Sequence, residues 1–110
     1  MNSAEDYLRV ECEVSGEGMS VCLRLDGEVD ASTAHLVEDA MSPALDPRCT
    51  RLVVDLADVT FMDSSGLRVL VVARNALDAR GAEMVIAGDN DRLRRLFEIS
   101  GLTSVFTFEP

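Results

Sequence analysis

From Leu8 to Asp26 hydrophobic and polar positions alternate: Leu8, Val10, Cys12 and Val14, then Met19, Val21, Leu23 and Leu25, with Arg9, Glu11, Glu13, Arg24 and Asp26 among the interleaved residues. A period of two is that of a strand with one wet face. Gly16 and Gly18 between the two runs supply a turn, so the opening reads as an antiparallel hairpin. After GEVD, residues 27–30, the spacing becomes helical: Thr33, Leu36, Val37, Ala40, Met41 and Ala44 share one face, His35, Glu38, Asp39 and Ser42 another, and the helix ends near Pro43 to Pro47. RLVVDLADV, residues 51–59, is short, apolar and β-branched, as an interior strand should be.

A second helix is predicted from Ser64 or Ser65 to about Arg80, apolar nearly all round apart from Arg68, Arg74, Asn75 and Asp78, and closed by Gly81. Residues 82–88 read as another strand. Residues 89–101 read as a third helix with Leu93, Leu96 and Phe97 inward, and residues 103–108 as a last strand. The order is β-β-α-β-α-β-α-β. Strand–helix–strand units imply parallel crossovers, so the expectation is an α/β fold with a mixed, mostly parallel sheet of about five strands. Because the first two strands alternate, helices should cover mainly one sheet face.

A chain of 110 residues suits one domain, residues 1–110, with one core. Twenty acidic residues against ten basic ones, all arginine, give a net charge of −10, which repels nucleic acid and anionic membranes and favours a protein partner with a basic face. The longest apolar run, VLVVA at 69–73, is too short to span a bilayer, and the N-terminus lacks a signal-like apolar stretch, so a cytoplasmic protein is expected. Cys12, Cys22 and Cys49 form no C-x-x-C spacing and are odd in number; buried or half-buried thiols are expected rather than disulfides or a zinc site. With one binding face, the free protein is expected to be a monomer.

Enzyme chemistry finds little support. The hydrolase elbow G-x-S-x-G is not met around Ser64, where the run is Met62, Asp63, Ser64, Ser65, Gly66. The single histidine, His35, falls on the polar face of the first helix, far from the role of a general base. No phosphate-binding glycine loop occurs, since GEG at 16–18 opens no helix. Asp55, Asp58 and Asp63 have no metal-ligand spacing, so neither metal nor cofactor is expected.

The segment DSSGL, residues 63–67, carries more than punctuation needs. Asp30 and Asp63 each precede a helix and are placed to cap it. If Asp63 caps the second helix, Ser64 and Ser65 are its first-turn residues, and Gly66 leaves room for another body to approach. A hydroxyl there lies at the positive end of the helix dipole, where a phosphate can be held. A phosphate adds about −1.5 to −2 charges. At about 5 Å and an effective dielectric near 20, each unit of like charge costs a partner roughly 3 kcal/mol, on the order of a hundredfold in affinity. Val72 lies on the stripe of Arg68, Asn75 and Asp78; it either packs on a neighbouring helix or forms an exposed apolar point.

GEVD (27–30), DLADVTFMDSSGL (55–67), RGAEMVIAG (80–88) and LRRLFEISGL (93–102) together resemble the STAS domain of bacterial anti-sigma factor antagonists. The resemblance covers nearly the whole chain in order, and FMDSSGL is its most specific part. It implies a partner-switching regulator with no enzyme activity of its own. The unphosphorylated antagonist binds an anti-sigma factor that is also a serine kinase, the sigma factor is released, and phosphorylation ends the complex. The first serine after the aspartate, Ser64, would be the acceptor, and a PP2C-type phosphatase would restore it. The implied partner surface gathers Asp30, Asp63, Ser64, Ser65, Gly66, Arg68 and Val72. Family members commonly continue into a further helix, whereas this sequence stops at Pro110, which would leave one side of the domain less covered. The alternatives are a STAS scaffold or accessory subunit of a stress-signalling or lipid-transport complex with purely structural serines, and nucleotide binding by the domain, which has no loop motif behind it.

Overall fold

In the computed structural model, which describes residues 3–88 and 90–109, the alternating opening folds as strand β1 (Leu8–Ser15) paired antiparallel with β2 (Ser20–Val29). A one-turn 3-10 helix at Gly16–Gly18 joins them, with Glu17 in the left-handed region at φ 59°. Strand β3 (Arg51–Met62), β4 (Glu83–Ala87) and β5 (Thr107–Phe108) each run parallel to the strand before them. The sheet order is β1-β2-β3-β4-β5.

That order dictates where the helices go. Parallel crossovers are right-handed as a rule, and each here steps the same way along the sheet, which puts α1 (Ala34–Ala40), α2 (Ser64–Asp78) and α3 (Asp91–Ile99) on one face. Burial follows the pleat. Val21, Leu23, Leu25, Leu52, Val54, Leu56, Met84 and Ile86 point beneath the helices and are buried. The opposite face is open and charged, with Arg24 between Glu11 at 3.9 Å and Asp55 at 3.6 Å, and Arg51 bonded to Glu83 at 2.6 Å.

Four expectations change in detail. The apolar positions of β1 are not all core: Leu8 is buried, but Cys12 is exposed and Val14 is 48% exposed, because this is an edge strand with little of a helix layer above its far end. Of the thiols, only Cys49 is buried and Cys22 half-buried. Strand β3 runs three residues past its expected end at Val59, to Met62, since two register irregularities against β2 let pairing resume after an unpaired residue. The last strand shrinks to Thr107–Phe108, because residues 102–106 are used in turning the chain. Gly101, at φ +72°, lets Leu102 N–H return to the Phe97 carbonyl at 2.8 Å, and Val105 N–H then closes a further turn on Leu102. The third helix was expected from Asp89, which lies outside the described residues; its cap is Asn90.

Asn90 also carries load for the rest of the fold. Its carbonyl oxygen accepts from Leu93 N–H at 3.2 Å while its amide donates to the Leu56 and Val59 carbonyls, both at 2.9 Å, so the α3 start braces the irregular stretch of β3. At the other end of the sheet the Arg80 guanidinium donates to the carbonyls of Ala44 and Cys49 at 2.7 and 2.8 Å, tying the end of α2 to the α1–β3 connection.

Phe97 is the keystone under α3, 2% exposed, with Phe106 and Phe108 meeting its ring edge-on at 5.5 and 5.4 Å. Replacing it by alanine, Phe97→Ala, is expected to cost about 3–5 kcal/mol in urea unfolding.

Candidate functional site

Strands β2 and β3 run side by side to a shared end at the pair Val29 and Met62, and each then leaves the sheet through an aspartate, Asp30 and Asp63. Asp63 is held on both sides. Its N–H donates to the Val29 carbonyl at 3.2 Å, its Oδ1 accepts from Ser65 N–H at 2.9 Å, and its carbonyl accepts from Leu67 N–H at 3.1 Å. With extended backbone (φ −116°, ψ −166°) it is the N-cap of α2, so the aspartate is spent on one otherwise orphaned backbone donor. Ser64 and Ser65 are the first two helical residues, Ser64 exposed and Ser65 half-buried. No side-chain hydrogen bond engages the Ser64 hydroxyl among the described residues.

Asp30 works differently from a helix cap, because α1 begins only at Ala34. Its Oδ1 accepts from Ser32 Oγ at 2.7 Å and Ser32 N–H at 2.9 Å, so it orders the turn that feeds α1. Those donations, the Ser32 hydroxyl first, then its backbone N–H, with smaller help from Thr33, hold the Asp30 carboxyl below its ordinary value of 3.8. Behind the turn lies Thr33, wholly buried, whose hydroxyl donates to the Glu28 carbonyl at 2.8 Å and accepts from Asp30 N–H at 3.0 Å. Sequence reading placed Thr33 on the apolar helix face. Its signal was the polar run D-A-S-T directly ahead of a helix, which side-chain-to-backbone bonding favours.

Gly66 corrects an expectation. It does not leave the surface open to a partner: it is buried, facing the sheet. A Cβ there would stand 2.7 Å from Met62 Cγ and 2.8 Å from Val29 Cγ1. Glycine is required because the first turn of α2 lies directly on the ends of β2 and β3. The remaining predicted residues do reach the surface. Arg68, Val72, Asn75 and Asp78 form an exposed stripe, Val72 being 59% exposed. Ser65, Arg68, Val69 and Val72 line one wall of a groove of about 570 Å³ whose other wall is α1, with Ala34 and Met41. A hollow of about 660 Å³ under α3, floored by Leu56, Ile86, Phe97 and Phe108, holds none of the predicted site residues. Chemistry, not volume, therefore locates the site at the α2 start.

The arrangement joins a free hydroxyl at a helix N-terminus to two anchored carboxylates and an apolar groove. Among the described residues no group of three or more His, Cys, Asp or Glu could hold a metal ion, and no helix is long and apolar enough to cross a membrane. The fold is a small α/β module whose candidate site lies at the start of α2. The STAS domain model matches residues 11–110, and the chain belongs to that family. It is 44% identical over 79 residues to the anti-sigma-B factor antagonist of Listeria monocytogenes, covering 72% of this chain and 69% of that one. The crystal structure of an anti-sigma factor antagonist from Mycobacterium paratuberculosis superposes with a TM-score of 0.81 at 26% identity, over 99% of this chain and 91% of that one. The Bacillus cell fate determinant SpoIIAA in its phosphorylated form shares the fold at a TM-score of 0.71 and 22% identity, over 93% and 92% of the two chains. The first two are named as anti-sigma factor antagonists and the third as a cell fate determinant.

Two outcomes follow from this geometry. Alanine is the better helix former by about 1 kcal/mol, yet Gly66→Ala is expected to destabilise the protein by about 1–3 kcal/mol in urea unfolding, because the clash with Met62 and Val29 outweighs propensity. In Ser32→Ala the Asp30 carboxyl loses its first donor, and its titration followed by NMR should move up toward 3.8. The sign is that of a depressed carboxylate: the bonds to Asp30 stabilise the fold fully above the unfolded-state pKa and are lost as pH falls through the folded value.

Proposed function

We propose that this protein is an anti-sigma factor antagonist of the phosphorylation-switched kind. Unphosphorylated, it binds an anti-sigma factor that is also a serine kinase, and the sigma factor is set free. The kinase transfers a phosphoryl group to the Ser64 hydroxyl, and a PP2C-type phosphatase removes it. All of this takes place in the cytoplasm. The observation that carries the reading is the Ser64 hydroxyl itself: exposed, unbonded among the described residues, and set in the first turn of α2 by the Asp63 cap.

The partner surface in this reading comprises Asp30, Asp63, Ser64, Ser65, Arg68 and Val72, with Gly66 acting from beneath by fixing the depth of the helix. Its apolar part is the groove between α1 and α2, where Val72 stands out. A phosphate on Ser64 would stand next to the Asp63 cap and to Ser65, which lines the groove, so the added charge falls where the partner must pack. The backbone N–H groups of the first turn can share that charge within the protein. The switch then acts on binding and leaves the fold as it is.

The test is to mix the protein with its cognate anti-sigma kinase and ATP and weigh it intact. A gain of one phosphate is expected in the native chain and none in Ser64→Ala, with Ser65→Ala phosphorylated like the native protein. No gain with a kinase of demonstrated activity would refute the reading. Ser64→Asp should weaken kinase binding at least tenfold, from the charge estimate above. Equal binding by Ser64→Ala and Ser64→Asp would instead mark a scaffold whose serines are structural.

A further inference from the structure

On the helix-free face of the sheet Glu11, Asp55 and Glu83 have arginine partners, whereas Asp26, Asp58 and Glu28 make no ion pair among the described residues. Beyond the paired carboxylates and arginines, at the end of β2 and β3 that leads into the site, Tyr7, Glu28 and Phe61 lie abreast. Glu28 pairs with Phe61 in the β2–β3 register, and its N–H donates to the Tyr7 carbonyl at 2.9 Å. The neighbouring pair, Val29 and Met62, faces inward against α2, so Glu28 and Phe61 face out on the open side. Tyr7 precedes the buried Leu8 and is 42% exposed; Phe61 is 46% exposed.

Phe61 is unlike the other phenylalanines. Phe97, Phe106 and Phe108 form one ring cluster, whereas Phe61 stacks on no ring among the described residues. Glu28 makes no ion pair among the described residues, although four other carboxylates of the sheet and its connections, Glu11, Asp46, Asp55 and Glu83, have arginine partners. The adjoining row on the same face reads Arg9, Asp26, Asp58, one positive charge against two negative. An aromatic on each side of an unpaired carboxylate, within a surface of net negative charge, suits a cation: the ring faces attract it through their quadrupoles and the carboxylate supplies the counter-charge.

We propose that Tyr7, Glu28 and Phe61 form a docking patch for an arginine or lysine side chain presented by a protein partner. The net charge of −10 and the acidic row behind the patch draw such a segment in and turn an anionic one away. The patch borders Ser64 from the open face, three residues back along the chain, while the α1–α2 groove borders it from the helical face.

The experiment uses the isotopically labelled protein and two capped tripeptides, acetyl-Arg-Ser-Arg-amide and acetyl-Glu-Ser-Glu-amide, titrated at low ionic strength and followed by NMR. The basic peptide is expected to shift the amide and ring signals of Tyr7, Glu28 and Phe61 saturably, and the acidic one to leave them in place. Phe61→Ala and Glu28→Gln should each weaken that binding about fivefold. Both changes lie at the surface, so thermal midpoints should stay within about 3 °C of the native protein, which separates lost binding from lost fold. The proposal is overturned by no saturable shift at the row, shifts centred on the α1–α2 groove, equal binding of the acidic peptide, or native affinity in both variants. If concentrating the protein alone shifts the same signals, a second copy occupies the row and the proposed partner is wrong.

Discussion

The close seating of the first turn of α2 on the ends of β2 and β3 is the contact on which the site depends. Gly66 lets the helix come down until its backbone meets Val29 and Met62. The Asp63 N–H to Val29 carbonyl bond then ties the helix start to the neighbouring strand, and the Asp63 carboxylate, capping Ser65 N–H, fixes where the helix begins. With strand end, cap and helix start locked together, Ser64 has no freedom in where it appears. It stands at the surface because Met62 and Gly66, two residues away on either side, face the interior while Asp63 is held as the cap.

Such a seat allows charge to be changed without changing shape. A group added to Ser64 projects outward from a turn whose backbone is held from below, and the nearest free partners for its charge are the N–H groups of that same turn. The supports are spread over the fold. Thr33 pins Asp30 to the end of β2, Asn90 braces the irregular part of β3 that runs into Met62, and Arg80 holds the connection behind α1 to the end of α2. Each is a polar side chain satisfying backbone carbonyls that regular pairing leaves over, so each both stabilises and positions.

Much of this was legible in the order of residues. The alternating hairpin, the three helices and the parallel crossovers follow from periodicities of 2 and 3.6, and the one-sided helix layer from the alternation of the first two strands, whereas the order of strands across the sheet emerges only in the structure. Asp63 was readable as a cap because an aspartate followed by two serines precedes a long apolar run. Gly66 was misread because a glycine in a sequence does not say which way its missing side chain would point; only the register that brings Val29 and Met62 together answers that. The extra length of β3 and the shortness of β5 depend on register slips and on a turn closed after Gly101, which local propensity does not encode. The row of Tyr7, Glu28 and Phe61 joins residues up to 54 positions apart and exists only once three strands are paired.

The proposed switch depends on an α2 seat that does not move when Ser64 is charged. Amide hydrogen exchange at Asp63, Ser65 and Leu67, compared between the native protein and the same chain carrying phosphoserine at 64, measures this directly. Protection at these three amides should be the same in both forms, within about twofold, because their acceptors at Val29 and Asp63 lie under the phosphate and are untouched by it. A loss of protection across the first turn of α2 on phosphorylation would contradict the account and make the switch a local unfolding.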